Sequence, residues 1–391
     1  MILPLNYPIV TDGSSILFAG LSLALILGLL WVLLRIKPLA GIFPPESARI
    51  SSLDGLRGFL AFAVVFSHLL SYRIYLQTGK WDFPDHFFKF APVVGVQLFF
   101  CITGFLFWTK AIRSGGRFNV PSFYRRRFLR IYPLYLAVAL VTAAVCLVTP
   151  SSDPSGVHNF ASAIWILVPH EWPEIHGNAS FYYLAQSWTL AFELIFYFLL
   201  PLLALAFAKS AKSFALLSLL FLAFLVICMK VSALAQLAQC APFLVGMITA
   251  EVRERAKLEQ FFLGAWGAAI SLGGFVVLYV AHSKFSDVFL LACFMPVAHG
   301  NTLFGLLSWR PCRALGDISY SVYMVHLVII GLAIRALAMT VQPWALPNYQ
   351  YWLFGFACCL VIVAVSLATY RVFEQPFIRP ESGSGLGPRA L

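Results

Sequence analysis

The chain has 391 residues, of which 61% are apolar and only 11% charged, against roughly 45–50% and roughly 25% in an ordinary soluble protein. That balance excludes a set of water-soluble domains, and the apolar excess falls in long runs of the kind that cross a bilayer. The net charge of +11 would raise nucleic-acid binding in a soluble chain, but here the basic residues flank apolar runs and set membrane orientation instead, so no nucleic-acid partner is expected.

Eleven spans are predicted, at about 15–36, 53–76, 92–112, 128–149, 183–208, 213–229, 232–250, 260–281, 286–307, 316–339 and 350–373. The fold class is therefore all-α, a polytopic transmembrane helical bundle. The first span has no positive charge before it, carries Arg35 and Lys37 after it, and is too long for the apolar part of a signal peptide. It reads as an uncleaved anchor. Residues 1–49 are taken as anchor helix and linker, 50–379 as the transmembrane core, and 380–391 as a disordered cytoplasmic tail. Two long outer loops are expected, at about 77–91 and 150–182.

Alternating the sides from an outer N-terminus leaves six basic residues outside: Arg73, Lys80, Lys89, Lys230, Lys284 and Arg335. Of the 27 Lys and Arg, the other 21 fall inside, and the reversed topology inverts the ratio. The N-terminus is expected in the periplasm and the C-terminus in the cytoplasm. Seven of the eight cysteines lie in apolar runs and Cys312 in a short basic connection. None has CxxC or zinc-ligand spacing, so neither a disulfide framework nor a metal is expected.

Polar side chains inside the spans mark function, because an Arg or Asp at a span centre costs roughly 2.5–3.5 kcal/mol on the insertion scale. They are Arg57, His68, Glu193, His299, Asn301, Ser319, Tyr323 and His326. Arg57 and His68 stand eleven residues apart, three helical turns plus about 20°, so they share one face with a rise of about 16.5 Å. Arg57 sits at the inner mouth and His68, a titratable imidazole, near the midplane. Taken singly, Arg57 could snorkel and His68 could be a packing histidine; the shared face favours a site. Arg127 and Arg130 form an i,i+3 pair whose guanidinium forks suit phosphate oxygens, besides anchoring the helix. Asp317 reads as a helix N-cap, and Ser319, Tyr323 and His326 then form one stripe. Glu193 follows Trp188-Thr189 and could orient an imidazole or receive a hydroxyl proton. The loop at 150–182 carries His158, Trp165, His170, Glu171, Trp172, Glu174, His176, Tyr182 and Tyr183. Aromatic and acidic groups of this kind suit a sugar face, although an interfacial aromatic belt would look similar; Trp172 and Trp188 are taken as candidate acceptor contacts.

Six segments in order carry a resemblance. They are Leu53-Asp54-Gly55-Leu56-Arg57-Gly58 with His68, Gly95-Val96-Gln97-Leu98-Phe99-Phe100 with Thr103-Gly104-Phe105, and Arg127-Phe128-Leu129-Arg130. Then come Trp188-Thr189-Leu190-Ala191-Phe192-Glu193 with Phe196-Tyr197, the Ser319–His326 stretch, and Glu374-Gln375-Pro376. Across about 50–380 the chain resembles the bacterial membrane acyltransferase family 3, of the O-antigen and polysaccharide O-acetyltransferase type. Gln97 departs from it, standing where an acidic residue is common, and the first span is extra to the usual ten-helix core. No appended esterase-like domain is seen.

The resemblance implies transfer of an acyl group, usually acetyl, from cytosolic acyl-CoA to a sugar hydroxyl on a glycan or glycolipid at the periplasmic face of the inner membrane. Acetyl-CoA would be a co-substrate, with no tightly bound cofactor. The resemblance implies CoA contacts for Arg57, Arg127 and Arg130, joined here by Ser319, and a catalytic role for His68. The Arg57-to-His68 rise is about the reach of a pantetheine arm. His68 could act as general base or as the carrier of an acyl-histidine. Tyr323 or His326 could polarise the thioester carbonyl, and Glu193 completes the catalytic set. Transfer to a small molecule or to peptidoglycan would differ only in acceptor. A non-enzymatic carrier or flippase for a glycan or small anion is the alternative from another class. Its path would need polar residues through Leu69–Leu76, where few stand, Ser71, Tyr72 and Arg73 among them. A homo-oligomer is compatible with the sequence.

Overall fold

In the computed structural model the described residues are 13–36, 41, 43, 50–83, 86–117, 119–149, 164–169, 172–175, 178–210, 212–256, 258–281 and 286–378. The expected tail, most of the linker, and His158, His170, Glu171 and His176 lie outside them. With no water to satisfy backbone groups, apolar runs of this length close their hydrogen bonds internally as helices. Among the described residues seven such helices are long and apolar enough to cross a membrane. Five are α1 (Gly13–Leu33), α2 (Ser51–Thr78), α3 (His86–Arg113), α4 (Val120–Val148) and α5 (Trp188–Phe207), the last led in by a short turn at Phe181–Leu184. Shorter apolar helices follow: α6 (Ser213–Lys230), α7 (Ala241–Glu251), α8 (Ala265–Ala281) and α9 (Ser286–Ala298). After α10 (Arg310–Asp317) come the last two long ones, α11 (Ser319–Ala338) and α12 (Asn348–Thr369).

Several expected boundaries move. α3 starts at His86 and carries Pro92 inside it, so the first outer loop is much shorter than 77–91. α2 stops where Gly79 takes φ +72° and donates its N–H to Tyr75 O at 2.8 Å, a left-handed cap open to glycine. α4 begins at Val120, with Asn119 accepting from Ser122 N at 3.2 Å; Arg125 to Arg130 are therefore inside the helix. The expected span 232–250 is a 3-10 stretch, Ser232–Cys240, followed by α7.

The ninth span ends at Ala298, well short of 307. Gly300, Leu303, Phe304 and Gly305 all have positive φ. Asn301 braces the reversal by donating to Phe262 O at 2.7 Å and Gly264 O at 3.0 Å while accepting from Leu303 N at 2.9 Å. His299 bonds Met295 O at 2.8 Å. Asp317 is no N-cap: it ends α10, and Ile318 separates that helix from α11 without a side-chain cap.

α2 packs on α3, α10 and α11, and α3 packs on α7. The start of α2 touches the α10 segment backbone to backbone. A Cβ on Gly55 would lie 1.9 Å from Leu307 O, and one on Gly316 1.7 Å from Asp54 O. Two glycines therefore seat the Arg57 end of α2 beside the start of α11. α1 lies against α10 and α12, tied by Asn348 Nδ2 to Ser14 Oγ at 2.8 Å. A two-stranded hairpin, β1 (Glu174–Ile175) and β2 (Asn178–Ala179), pairs Glu174 with Ala179. Asn178 Nδ2 donates to Cys146 O and Thr149 O at 3.1 and 3.2 Å, satisfying carbonyls at the end of α4.

Candidate active site

α2 and α11 bring together two residues 258 positions apart: His68 Nδ1 lies 2.9 Å from His326 Nε2. The rings are near parallel, 17° apart with centroids at 5.1 Å. His326 is fully buried, and its Nδ1 faces two backbone carbonyls, Tyr323 O at 2.8 Å and Val322 O at 3.2 Å. Carbonyl oxygens only accept, so Nδ1 of His326 carries the proton and its Nε2 keeps a lone pair. His68 must then donate from Nδ1, which leaves the lone pair on His68 Nε2. The pair has the form of a base oriented by a neighbour whose own tautomer is fixed by the backbone.

Tyr323, one turn before His326, has its hydroxyl 3.0 Å from Thr189 Oγ1 and donates to Gln186 O at 3.1 Å. The Trp188–Glu193 motif thereby grips α11. At its other end Glu193 Oε1 accepts from Tyr197 OH at 2.5 Å and from Thr103 Oγ1 at 3.3 Å. Glu193 thus bonds to α3 and to its own helix, while the imidazoles bond to each other and to the α11 backbone. Arg127 stacks over the ring of Phe107, 4.8 Å from its centroid, and stands 6.0 Å from that of Tyr197. The guanidinium and the Glu193 carboxylate are therefore neighbours around Tyr197.

Arg57 and Arg130 come from different helices, and both charges act on the buried Glu374 carboxylate. Ser321 Oγ donates to Glu374 Oε1 at 2.6 Å, and Tyr320 OH donates to Ile131 O at 2.6 Å. Four buried polar atoms here have no protein hydrogen-bond partner: Arg127 Nε, Ser319 Oγ, Gln186 Oε1 and Glu374 Oε2. Buried polar atoms are ordinarily satisfied, so an interior holding several open ones is suited to a polar ligand. Among the described residues no group of three or more His, Cys, Asp or Glu could hold a metal ion.

Trp172 Nε1 donates to Leu184 O at 3.0 Å and Ser187 Oγ at 3.1 Å, and Trp188 stacks edge-on with Phe192 at 5.7 Å. Neither ring is among those that lie against His68. Trp81 and Phe83 are, both tilted to the imidazole, with centroids at 6.0 and 6.4 Å. No signal in the sequence set those two apart, since they stand in a short connection with no motif. Thr103, Tyr197 and Glu374 were within reach, because they lie inside the motif segments, but nothing in the spacing assigned them partners.

The family model for the acyltransferase domain matches residues 50–371. The exopolysaccharide production protein ExoZ of Rhizobium meliloti (strain 1021) is 30% identical over 306 residues, covering 73% of this chain and 89% of that protein. The acyltransferase MdmB of Streptomyces mycarofaciens is 31% identical over 162 residues, 41% of this chain and 40% of MdmB. Nodulation protein 10 of Rhizobium leguminosarum bv. viciae is 34% identical over 174 residues, 40% of this chain and 45% of that one. The chain therefore spans less than half the length of the last two. No solved structure matches it. A domain match across residues 50–371, on a membrane bundle whose separate motifs meet in one interior, makes the chain a member of the membrane acyltransferase family 3.

Proposed function

We propose that this acyltransferase is an acyl-CoA-dependent O-acyltransferase of the bacterial inner membrane, moving an acetyl group from cytosolic acetyl-CoA to a hydroxyl of a periplasmic glycan or glycolipid. The contact between His68 Nδ1 and His326 Nε2 carries the reading. An alcohol is a weak nucleophile, and a fixed imidazole lone pair is what it lacks. The acceptor oxygen attacks the thioester carbonyl, and His68 Nε2 takes its proton. The C–S bond then breaks, and that proton passes to the leaving CoA sulfur.

Arg57, Arg127 and Arg130 are assigned to the donor's phosphate end, and Ser319 to the donor as well. The unbroken α2 helix sets Arg57 about 16.5 Å from His68, the span of an extended pantetheine arm. The open polar atoms of Arg127 and Ser319 suit phosphate and amide groups. A relative whose printed name ties it to exopolysaccharide production supports a sugar hydroxyl as acceptor.

His68→Gln keeps a hydrogen-bonding side chain but removes the base. Label transfer from [14C]acetyl-CoA in native membranes is expected to fall about 10²–10⁴-fold, with CoA binding retained. Near-normal transfer by the variant would make His68 a packing residue. Absence of any transfer by the unmodified protein would favour a carrier.

A further inference from the structure

Beside His68 the chain gathers a cluster of aromatic rings from three separate segments. α2 gives Tyr72 and Tyr75, the connection after it gives Trp81 and Phe83, and the turn before α5 gives Phe181 and Tyr182. Trp81 lies at the centre: its ring is 4.9 Å edge-on from Tyr72, 5.7 Å edge-on from Phe181, 5.8 Å from Tyr182 and 6.0 Å from His68. Tyr75 and Tyr182 close one side at 4.3 Å, and Phe83 stands 6.4 Å from the imidazole.

These rings are not a lipid-facing belt. Belt side chains point outward, as Phe198, Trp266 and Phe304 do at 66%, 76% and 80% exposure. Trp81, Phe83, Tyr75, Phe181 and Tyr182 are half-buried, and of these Trp81 and Phe83 lie against the imidazole. The composition also selects the occupant. Rings dominated by Trp and Tyr present apolar faces with polar rims, which matches the C–H face and hydroxyl edge of a pyranose. An acyl chain would be better served by aliphatic side chains.

We propose that this half-exposed cluster seats the sugar ring of the acceptor, with Trp81 as its platform, and that the same rings keep water from His68 Nε2 when no sugar is bound. The inference rests on reading His68 as the acyl-transfer base. It makes Trp81 the residue that decides between alcohol and water as nucleophile. With the cluster opened, water attacks the thioester carbonyl, His68 accepts the proton, the C–S bond breaks, and acetate and free CoA thiol leave. Transfer then becomes hydrolysis with no other reactant needed.

The test uses membranes of the native host, with its own copy deleted and the full-length protein or a variant restored, supplied with [14C]acetyl-CoA. Trp81→Ala should cut glycan-bound label about tenfold or more, the loss of one good stacking contact. CoA thiol release should persist, with the missing label recovered as acetate. Trp81→Phe should restore most of the glycan label, and Phe83→Ala should show the same uncoupling in milder form. Label and thiol falling together in Trp81→Ala, or neither changing, would overturn the proposal. So would a new preference for octanoyl-CoA without added hydrolysis, which would make the cluster an acyl-chain site. If the unmodified protein itself neither releases thiol nor transfers label, the acyl-CoA reading fails first, and separately.

Discussion

His326 does for His68 what a hydrogen-bonded third group does in base-assisted nucleophilic sites: it fixes which nitrogen holds the proton. Its own tautomer is set by α11 carbonyls, so the base proposed at His68 needs no carboxylate partner, and Glu193 is left to the Arg127 side of the interior. At Arg127 the side chain has two demands. Its plane stacks on Phe107, and its Nε is left open inside the protein. A lysine supplies the charge but neither the plane nor the fork. Arg127→Lys is therefore expected to raise the KM for acetyl-CoA about tenfold, close to one charge-assisted hydrogen bond, with kcat nearly unchanged. Steady-state kinetics at varied acetyl-CoA measure it, and an unaltered KM would reduce Arg127 to a helix anchor. These residues were individually legible because charge and imidazole are costly in an apolar run. Their partners were not. The 2.9 Å contact of His68 with His326 joins positions 258 apart, and no local spacing encodes it.

At the scale of elements, apolar length predicted the long helices well, because the bilayer demands it. It failed where a polar side chain or a glycine decides the end. The reversal after Ala298 depends on Asn301 bonding to two carbonyls near α8, a contact between segments that hydropathy does not register. Packing shows the same dependence. α3 and α7 touch through Gly104 and Gly246: an added Cβ would sit 2.2 Å from Phe243 O or 2.1 Å from Cys101 O, respectively. Small residues give membrane helices this close approach, where dispersion and lipid entropy replace the hydrophobic effect. Gly246→Ala should destabilise the bundle by about 1–3 kcal/mol, seen as a lower midpoint in detergent-titrated unfolding. Gly273→Ala, with open space around it, should leave that midpoint in place. Equal midpoints for the two variants would show that the α3–α7 contact tolerates an added methyl group.

For the whole molecule, charge sorts into two ends. Arg113 pairs with Glu254 at 2.7 Å, and Arg253 bonds Ala298 O at 2.6 Å. A Cβ on Gly115 would meet Lys209 Cε at 4.0 Å. The segments after α3, α5, α7 and α9 thus gather at one end. At the other, Arg73 bonds Leu346 O at 2.7 Å and Arg335 bonds Thr149 Oγ1. The basic excess belongs to the first end, and the positive-inside rule turns that excess into a direction: the first end should face the cytoplasm, the side that holds acyl-CoA. Lys80 and Arg117 are exposed and stand beyond opposite ends of α2 and α3, which makes them reporters of side. Among the cysteines only Cys240 is less than buried, so Cys240→Ser removes the accessible background. On that background, a membrane-impermeant maleimide added to intact spheroplasts should label Lys80→Cys and spare Arg117→Cys until the membrane is opened. The opposite pattern would put Arg57, Arg127 and Arg130 outside, away from any cytosolic thioester. The donor path along α2 would then fall, while the fold and the family membership would stand.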